Sequence, residues 1–288
     1  MKRRLDIVGA GKVGKTLARL WNTAGVFDIG TVTNRSSQST ADAIRFIGAG
    51  SPGWPIQTID VLMISAADYA IAECAVKISR SGFVGPESVV FHCSGSISSD
   101  VLAPIKAAGG NIGSVHPVKS FADESVAVDT FNGTFCGLEG DDAAITFLAE
   151  SLSAIGGRTF GIDASLKAVY HAGNVFACNY LISTVDAGVR CLEKAGIERQ
   201  TALRVLQPIV AATIENFFRL GPAKALTGPI ARGEIAVVTR QLAALEAWDP
   251  EISMAYKALG NLTINLSEKQ GKASKENLEQ IKEILMKE

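Results

Sequence analysis

The sequence predicts an α/β fold: a doubly wound parallel sheet followed by a separate all-α domain. Three observations predict it. Short β-rich runs alternate with helical periodicities from Leu5 to about Gly161, the strand signal stops after Asp163, and the first strand opens into a glycine-rich turn. Strand and helix in alternation mean a parallel sheet covered on both faces. A chain of 288 residues has room for two domains, expected at 1–162 and 163–288.

In order, strands are expected near 5–9, 27–33, 60–65, 88–93, 111–115, 133–138 and 158–161, where β-branched and apolar residues cluster between turn signals. Helical spacing fills 12–24, 38–48, 69–80, 98–108 and 141–154. The second half carries helical patterns over 164–195, 199–219, 234–247, 250–267 and 274–287. They are punctuated by Gly196, Gly221-Pro222, Gly228-Pro229, Gly233 and Asp249-Pro250. Leu278, Ile281, Ile284 and Leu285 form one stripe against lysines and glutamates, the pattern of a docking helix.

The first turn, RLDIVGAGKVGKT, fits two nucleotide patterns at once. Gly9, Gly11 and Gly14 spell the dinucleotide turn G-x-G-x-x-G, while Gly9, Gly14, Lys15 and Thr16 spell a triphosphate loop. A dinucleotide turn starts its helix near the second glycine, and the buried periodicity of Val13, Leu17, Leu20 and Ala24 already begins at Val13. The strands ending in Ser65 and His92 carry no carboxylate placed for Mg²⁺, although Asp60 and Asp68 flank the first. The dinucleotide reading is favoured, with a nucleoside triphosphatase as the outlying alternative. About 20 residues on, the second strand ends in Asn34, Arg35, Ser36 and Ser37 instead of an acid. A guanidinium among hydroxyls suits a 2′-phosphate, so the expected cofactor is NADP(H). Its expected contacts are Gly9, Ala10, Gly11, Lys12, Val13, Gly14, Asn34, Arg35, Ser36, Ser65, Ala66 and His116.

A net charge of -1 gives no electrostatic footprint for nucleic acid or an anionic membrane, and the apolar run 168–189 is broken by His171, Asn174, Asn179 and Asp186. Five scattered cysteines without C-x-x-C argue against a disulfide framework or structural zinc, and fit a cytoplasmic protein. The three histidines lie on separate elements, so no metal is expected.

At about 100° per residue, Lys167, His171 and Asn174 fall at about 0°, 40° and -20°, an amine, an imidazole and an amide on one face. Hydride transfer to a carbonyl or imine needs a proton moved in step and a group to fix the heteroatom, so these three and Ser94 are the candidate catalytic residues. His92, in HCSGS, and His116, in SVHPVKSF, end strands where ligands of open parallel sheets bind. With Thr227, Gly228 and Arg232 of TGPIARGE, His92 completes the candidate substrate contacts.

GAGKVG, TNRS, FHCSGS, SVHPVKSF, KAVYHAGNVFACNYL and ALTGPIARGE together resemble a bacterial family that joins a Rossmann-like NADP-binding domain to a helical C-terminal domain of unknown function. That family is related to pyrroline-5-carboxylate reductase and the deazaflavin-dependent NADP oxidoreductases. More distantly, Lys167, Asn174 and the Ser94-Gly95 turn look like the lysine, asparagine and serine-glycine positions of β-hydroxyacid dehydrogenases, with Asn at i+7 here instead of i+4. The resemblance implies an NADP(H)-dependent oxidoreductase acting on a small carbonyl or imine in a cleft between the domains, and a homodimer through the helical one. The competing expectation is a non-catalytic protein that senses NADP(H).

Overall fold

The structure, a computed structural model, describes residues 2–287 and divides into two compact units that meet in sequence at Ala177/Cys178. The division falls beyond the last strand, which ends at Gly161, because the first helix after it packs on the sheet, as detailed below.

The first unit is one eight-stranded sheet: β1 (Arg4–Val8), β2 (Asp28–Thr33), β3 (Ser51–Pro52), β4 (Val61–Ile64), β5 (Val89–His92), β6 (Asn111–Pro117), β7 (Phe135–Gly140) and β8 (Arg158–Gly161), in the spatial order β3-β2-β1-β4-β5-β6-β7-β8. From β1 the chain builds first to one side and then to the other, so β1 and β4 flank the topological switch point, where such sheets take ligands. Its helices are α1 (Lys12–Thr23), α2 (Ser37–Ile47), α3 (Asp68–Ser79), α4 (Ala103–Ala107), α5 (Glu124–Asp129), α6 (Asp142–Ser153) and α7 (Lys167–Asn174). Alternation along the strands feeds two cores. Leu5, Ile7, Val61 and Met63 pack with Leu17, Trp21 and Leu148 on one face, while Leu62, Ile64 and Val90 pack with Ile71, Ala75 and Ile105 on the other. Trp21 is fully buried and donates its indole N–H to the Ser151 carbonyl at 2.9 Å, tying α1 to α6.

The wholly parallel sheet expected from the sequence is corrected at one pair. β6 and β7 run antiparallel, with Ser114 opposite Glu139 and His116 opposite Gly137. A parallel return needs a covering crossover. The connection between these strands holds only the six-residue α5, which lies against α1 instead. Three further departures are local. β3 and α5 carry too few residues for a periodic signal, the pattern over 98–108 begins as a 3₁₀ turn at Ser99–Leu102, and the pattern over 164–195 is interrupted. It runs as a 3₁₀ turn (Ala164–Leu166), α7, a π turn (Val175–Asn179) and α8 (Tyr180–Lys194).

Besides α8, the second unit comprises α9 (Arg199–Leu220), α10 (Pro222–Ala225), α11 (Pro229–Arg232), α12 (Ile235–Glu246), α13 (Pro250–Gln270) and α14 (Lys275–Met286). The expected stripe of α14 is its core face: Leu278, Ile281 and Leu285 are buried with Ile230, Val238 and Ile264, and Ile284 is half-buried. No described helix is long and apolar enough to cross a membrane.

Candidate active site

The glycine turn separates the two nucleotide patterns by geometry. α1 begins at Lys12, immediately after the second glycine, which leaves Lys15 and Thr16 in its second turn. Thr16 is fully buried and donates to the Lys12 carbonyl, while Lys15 pairs with Glu124 at 2.5 Å, so neither side chain is aimed at a phosphate above the turn. Each glycine has its own reason to be one. Gly9 takes φ +80 and a Cβ there would stand 2.5 Å from the Ala66 amide nitrogen. At Gly14 a Cβ would stand 2.9 Å from the Ser65 side chain, so this glycine lets α1 pack against the end of β4. Gly11 is different: the nearest atom to a Cβ there is the Ser65 carbonyl oxygen at 3.9 Å, which leaves the space over the uncapped start of α1 open. Free first-turn amides under a positive helix end are what a pyrophosphate requires.

A cleft of about 420 Å³ lies there, at the switch point. Of the expected cofactor contacts, Gly9, Ala10, Gly11, Asn34, Arg35, Ser65 and Ala66 line it. Asn34 braces it by accepting from the Ala10 amide at 2.6 Å. Arg35 is exposed on the rim, its Nη1 3.5 Å from the Tyr69 hydroxyl, and a second groove on its other side carries Ser36 and Ser37. Ser36 caps α2 by accepting from the Ser39 amide at 3.1 Å. The other expected cofactor contacts lie elsewhere. The Lys12 ammonium leaves the cleft for the Ala122 carbonyl, Val13 packs into the core, Gly14 serves packing, and His116 lies off the cleft wall. Trp54, Tyr69 and Cys74 also line the cleft, and sequence reading missed them. Trp54 sits on a connection without periodicity, and its ring lies under the Lys77 ammonium at 3.7 Å.

Farther along the strand ends, the turn after β5 and the helix α7 bring a second group of side chains together. Gly95 is its centre: a Cβ there would lie 2.5 Å from His171 Nδ1 and 2.7 Å from His116 Nε2. The two imidazoles meet edge to face with centroids 5.5 Å apart, and His116 Nδ1 shares a 2.7 Å hydrogen bond with the Tyr170 hydroxyl. Gly137 makes room chiefly for Ile162, whose side chain would lie 2.3 Å from a Cβ at that position, with the Tyr170 hydroxyl next at 3.1 Å. Burial, then the neighbouring His171 and Lys167, hold the His116 pKa down at about 4, so this ring is neutral at pH 7. His171 Nδ1 is buried with no hydrogen-bond partner among the described residues. On either side of Gly95, Ser94 Oγ and Ser96 Oγ each donate to Asp68 Oδ2 at 2.9 Å.

Lys167, His171 and Asn174 do share a helix face but do not converge. Lys167 is 1% exposed and runs beneath the site, where it pairs with Glu139 at 2.7 Å and donates to Ser114 Oγ. Ser99 completes that network, its amide and hydroxyl donating to the Glu139 carboxylate at 2.9 and 2.6 Å. Burial acts to raise the Glu139 pKa, but the Lys167 ammonium and the Ser99 donors outweigh it and hold the carboxyl below the usual range. Asn174 Nδ2 donates to the Tyr170 carbonyl of its own helix at 3.1 Å. His92 is fully buried, accepting from the Ser94 amide at Nδ1 and donating from Nε2 to the Ser98 carbonyl, which leaves neither nitrogen for a substrate. In the second unit, Thr227 is exposed, Gly228 precedes α11 at φ +98, and the Arg232 guanidinium is held by both Glu234 oxygens at 2.7 and 3.0 Å.

Tyr170 and Glu139 carried signals that went unused. Tyr170 lies three residues after Lys167 on the same helical face, and Glu139 is an acid inside an otherwise apolar strand. Among the described residues no group of His, Cys, Asp or Glu is arranged to hold a metal ion.

Comparison with known proteins agrees with this layout. Residues 1–117 match a Rossmann-like domain model and residues 134–263 match a domain of unknown function, DUF2520. No curated protein matches the chain. Among solved structures, protein TM1727 from Thermotoga maritima is 22% identical with a TM-score of 0.72, over 93% of this chain and 99% of that one. BF3122 from Bacteroides fragilis, a candidate NADP oxidoreductase, is 22% identical with a TM-score of 0.72, over 93% and 98%. An imine reductase from Streptomyces aurantiacus is 15% identical with a TM-score of 0.59, over 98% and 93%. These likenesses establish the fold.

Proposed function

From a chain that pairs a Rossmann-like domain with DUF2520, we propose an NADP(H)-dependent oxidoreductase that moves hydride to or from a small carbonyl or imine compound. The observation that carries this reading is the cleft at the switch point, open above Gly11 and rimmed by Arg35. The start of α1 would hold the pyrophosphate, and Arg35 with the hydroxyls of Ser36 and Ser37 would hold a 2′-phosphate. The nicotinamide, when bound, supplies or accepts the hydride. Names of structural relatives point the same way, an imine reductase and a candidate NADP oxidoreductase among them.

The imidazoles over Gly95 are placed to hydrogen-bond and orient the reacting heteroatom. Assigning the shared hydrogen to the Tyr170 phenol places the neutral His116 proton on Nε2, the atom directed at Gly95, with His171 Nδ1 beside it. Lys167, engaged by Glu139 and Ser114, is a positioning residue in this scheme, not the acid. The same reading makes the protein a homodimer joined through its second unit, because α9 leaves Leu203, Val205, Ile209, Ile214, Phe217 and Phe218 exposed and buries only Ala202. A helix with so wide an exposed apolar face is normally covered.

Thermal-shift titration with NADPH, NADH and ATP tests the reading, because a ligand selective for the folded state raises the melting point. NADPH is expected to bind most tightly, and Arg35→Ala to lose roughly 10- to 100-fold in NADPH affinity while NADH is little changed. Equal binding of NADH, or a preference for ATP, overturns it. Tight NADPH binding without hydride exchange across carbonyl and imine compounds returns the chain to the sensing role.

A further inference from the structure

The floor around Gly95 has a charge of definite sign. Asp68, the first residue of α3, is exposed, and both hydroxyl donors reach the same carboxylate oxygen, Oδ2. Oδ1 accepts no hydrogen bond from the described residues. Of the other groups whose charge acts on His116, His171 and Lys167, the lysine is paired with Glu139 inside the sheet. His116 contributes a neutral ring. Lys12 and Lys15 are engaged by the Ala122 carbonyl and Glu124, away from this floor. Apart from His171, the charge left without an ion-pair partner at this floor is therefore that of Asp68, whose carboxylate is held by the serines on either side of the glycine.

We infer that Asp68, held by Ser94 and Ser96, receives a positively charged substrate nitrogen, so that the compound taken at this floor is an amine or iminium and not a carboxylate-bearing keto acid. This rests on the oxidoreductase reading for its meaning but not for its test. Two serine hydroxyls fix the orientation of the carboxylate and leave one oxygen available, and an ammonium N–H directed at that oxygen makes a charge-assisted hydrogen bond. A substrate anion here would face Asp68 without a free cation from the surrounding strands. A neutral carbonyl compound would gain from the imidazoles alone.

Three saturated six-membered-ring probes of similar size separate these cases: piperidinium, cyclohexanol and cyclohexanecarboxylate, each titrated against the full chain by saturation-transfer NMR with and without NADP⁺. The expected result is that piperidinium binds about 10- to 100-fold more tightly than cyclohexanol, with the carboxylate weakest. Asp68→Asn should bring piperidinium and cyclohexanol within about twofold of each other, and Asp68→Glu should retain most of the preference. Equal binding of the three probes overturns the inference, as does preference for the carboxylate or a cation preference that survives Asp68→Asn. Loss of NADP⁺ affinity in Asp68→Asn with the cation preference intact also overturns it, since the carboxylate would then serve the cofactor. Failure of the wild type to bind NADP(H) at all defeats the oxidoreductase reading instead, and the probe order is still read without cofactor.

Discussion

His92 shows what one buried side chain contributes to the site and to its pH range. Its ring is closed between the Ser94 amide and the Ser98 carbonyl, and burial, followed by the nearby Lys167 charge, lowers its pKa to about 4. Against an unfolded value near 6.5, the unfolded chain binds the extra proton first as pH falls, so this residue removes stability between about pH 6.5 and 4. His92 should account for ~2 kcal/mol of the loss between pH 7 and pH 5, where carboxylates barely titrate, and His116, lowered in the same direction, adds to it. Urea denaturation at the two pH values checks it, and His92→Gln should flatten the slope; an unchanged slope means that the ring titrates normally. Sequence alone marked His92 as a ligand because strand-end position was legible and depth was not. The same limit applies to Lys167, whose helical angle was right but whose amine is directed into the sheet. The place of Gly9, Gly11, Asn34 and Arg35 on the cleft was legible because it follows from backbone geometry close by in sequence.

At the scale of elements, α7 is fastened to the sheet by two rungs. Lys167 meets Ser114 and Glu139, and one turn later Tyr170 meets His116, two residues beyond Ser114 on the same face of β6. Helix and strand periodicities coincide over that short span, which is why both pairs form. Removing one member of a buried ion pair leaves an uncompensated charge, so Lys167→Met should destabilise by about 3–5 kcal/mol. The double variant Lys167→Met/Glu139→Gln should recover most of that loss, and a chemical-denaturation cycle measures the coupling. Additive losses would show that the pair does not act as a unit. The same double variant should shift the pH dependence of His116, followed by NMR, whereas a purely structural pair would leave it unmoved. Long periodic helices were readable in advance. The π turn at Val175–Asn179 was not, because an inserted residue changes the register without changing composition.

For the molecule as a whole, exposed apolar surface is concentrated in the second unit, where Ile182 is 72% and Phe218 80% exposed. The proposed dimer would cover these side chains. Light scattering should give twice the 30.3 kDa chain mass, and Ile209→Glu combined with Phe218→Glu should give monomers. A monomeric wild type at micromolar concentration would count against the pairing. The parallel, doubly wound character of the sheet was legible from alternation except where β7 reverses, since direction depends on a connection too irregular to read. That reversal makes the interior chemistry sensitive to length. Antiparallel pairing sets Ser114 across from Glu139 and His116 across from Gly137, so one residue inserted into β7 ahead of Gly137 would exchange inward for outward along the strand. The acid would leave its lysine, and a side chain would occupy the space that Ile162 and the Tyr170 phenol fill. Homologues should therefore vary in loop length on either side of this hairpin-like edge while tolerating no indel within it.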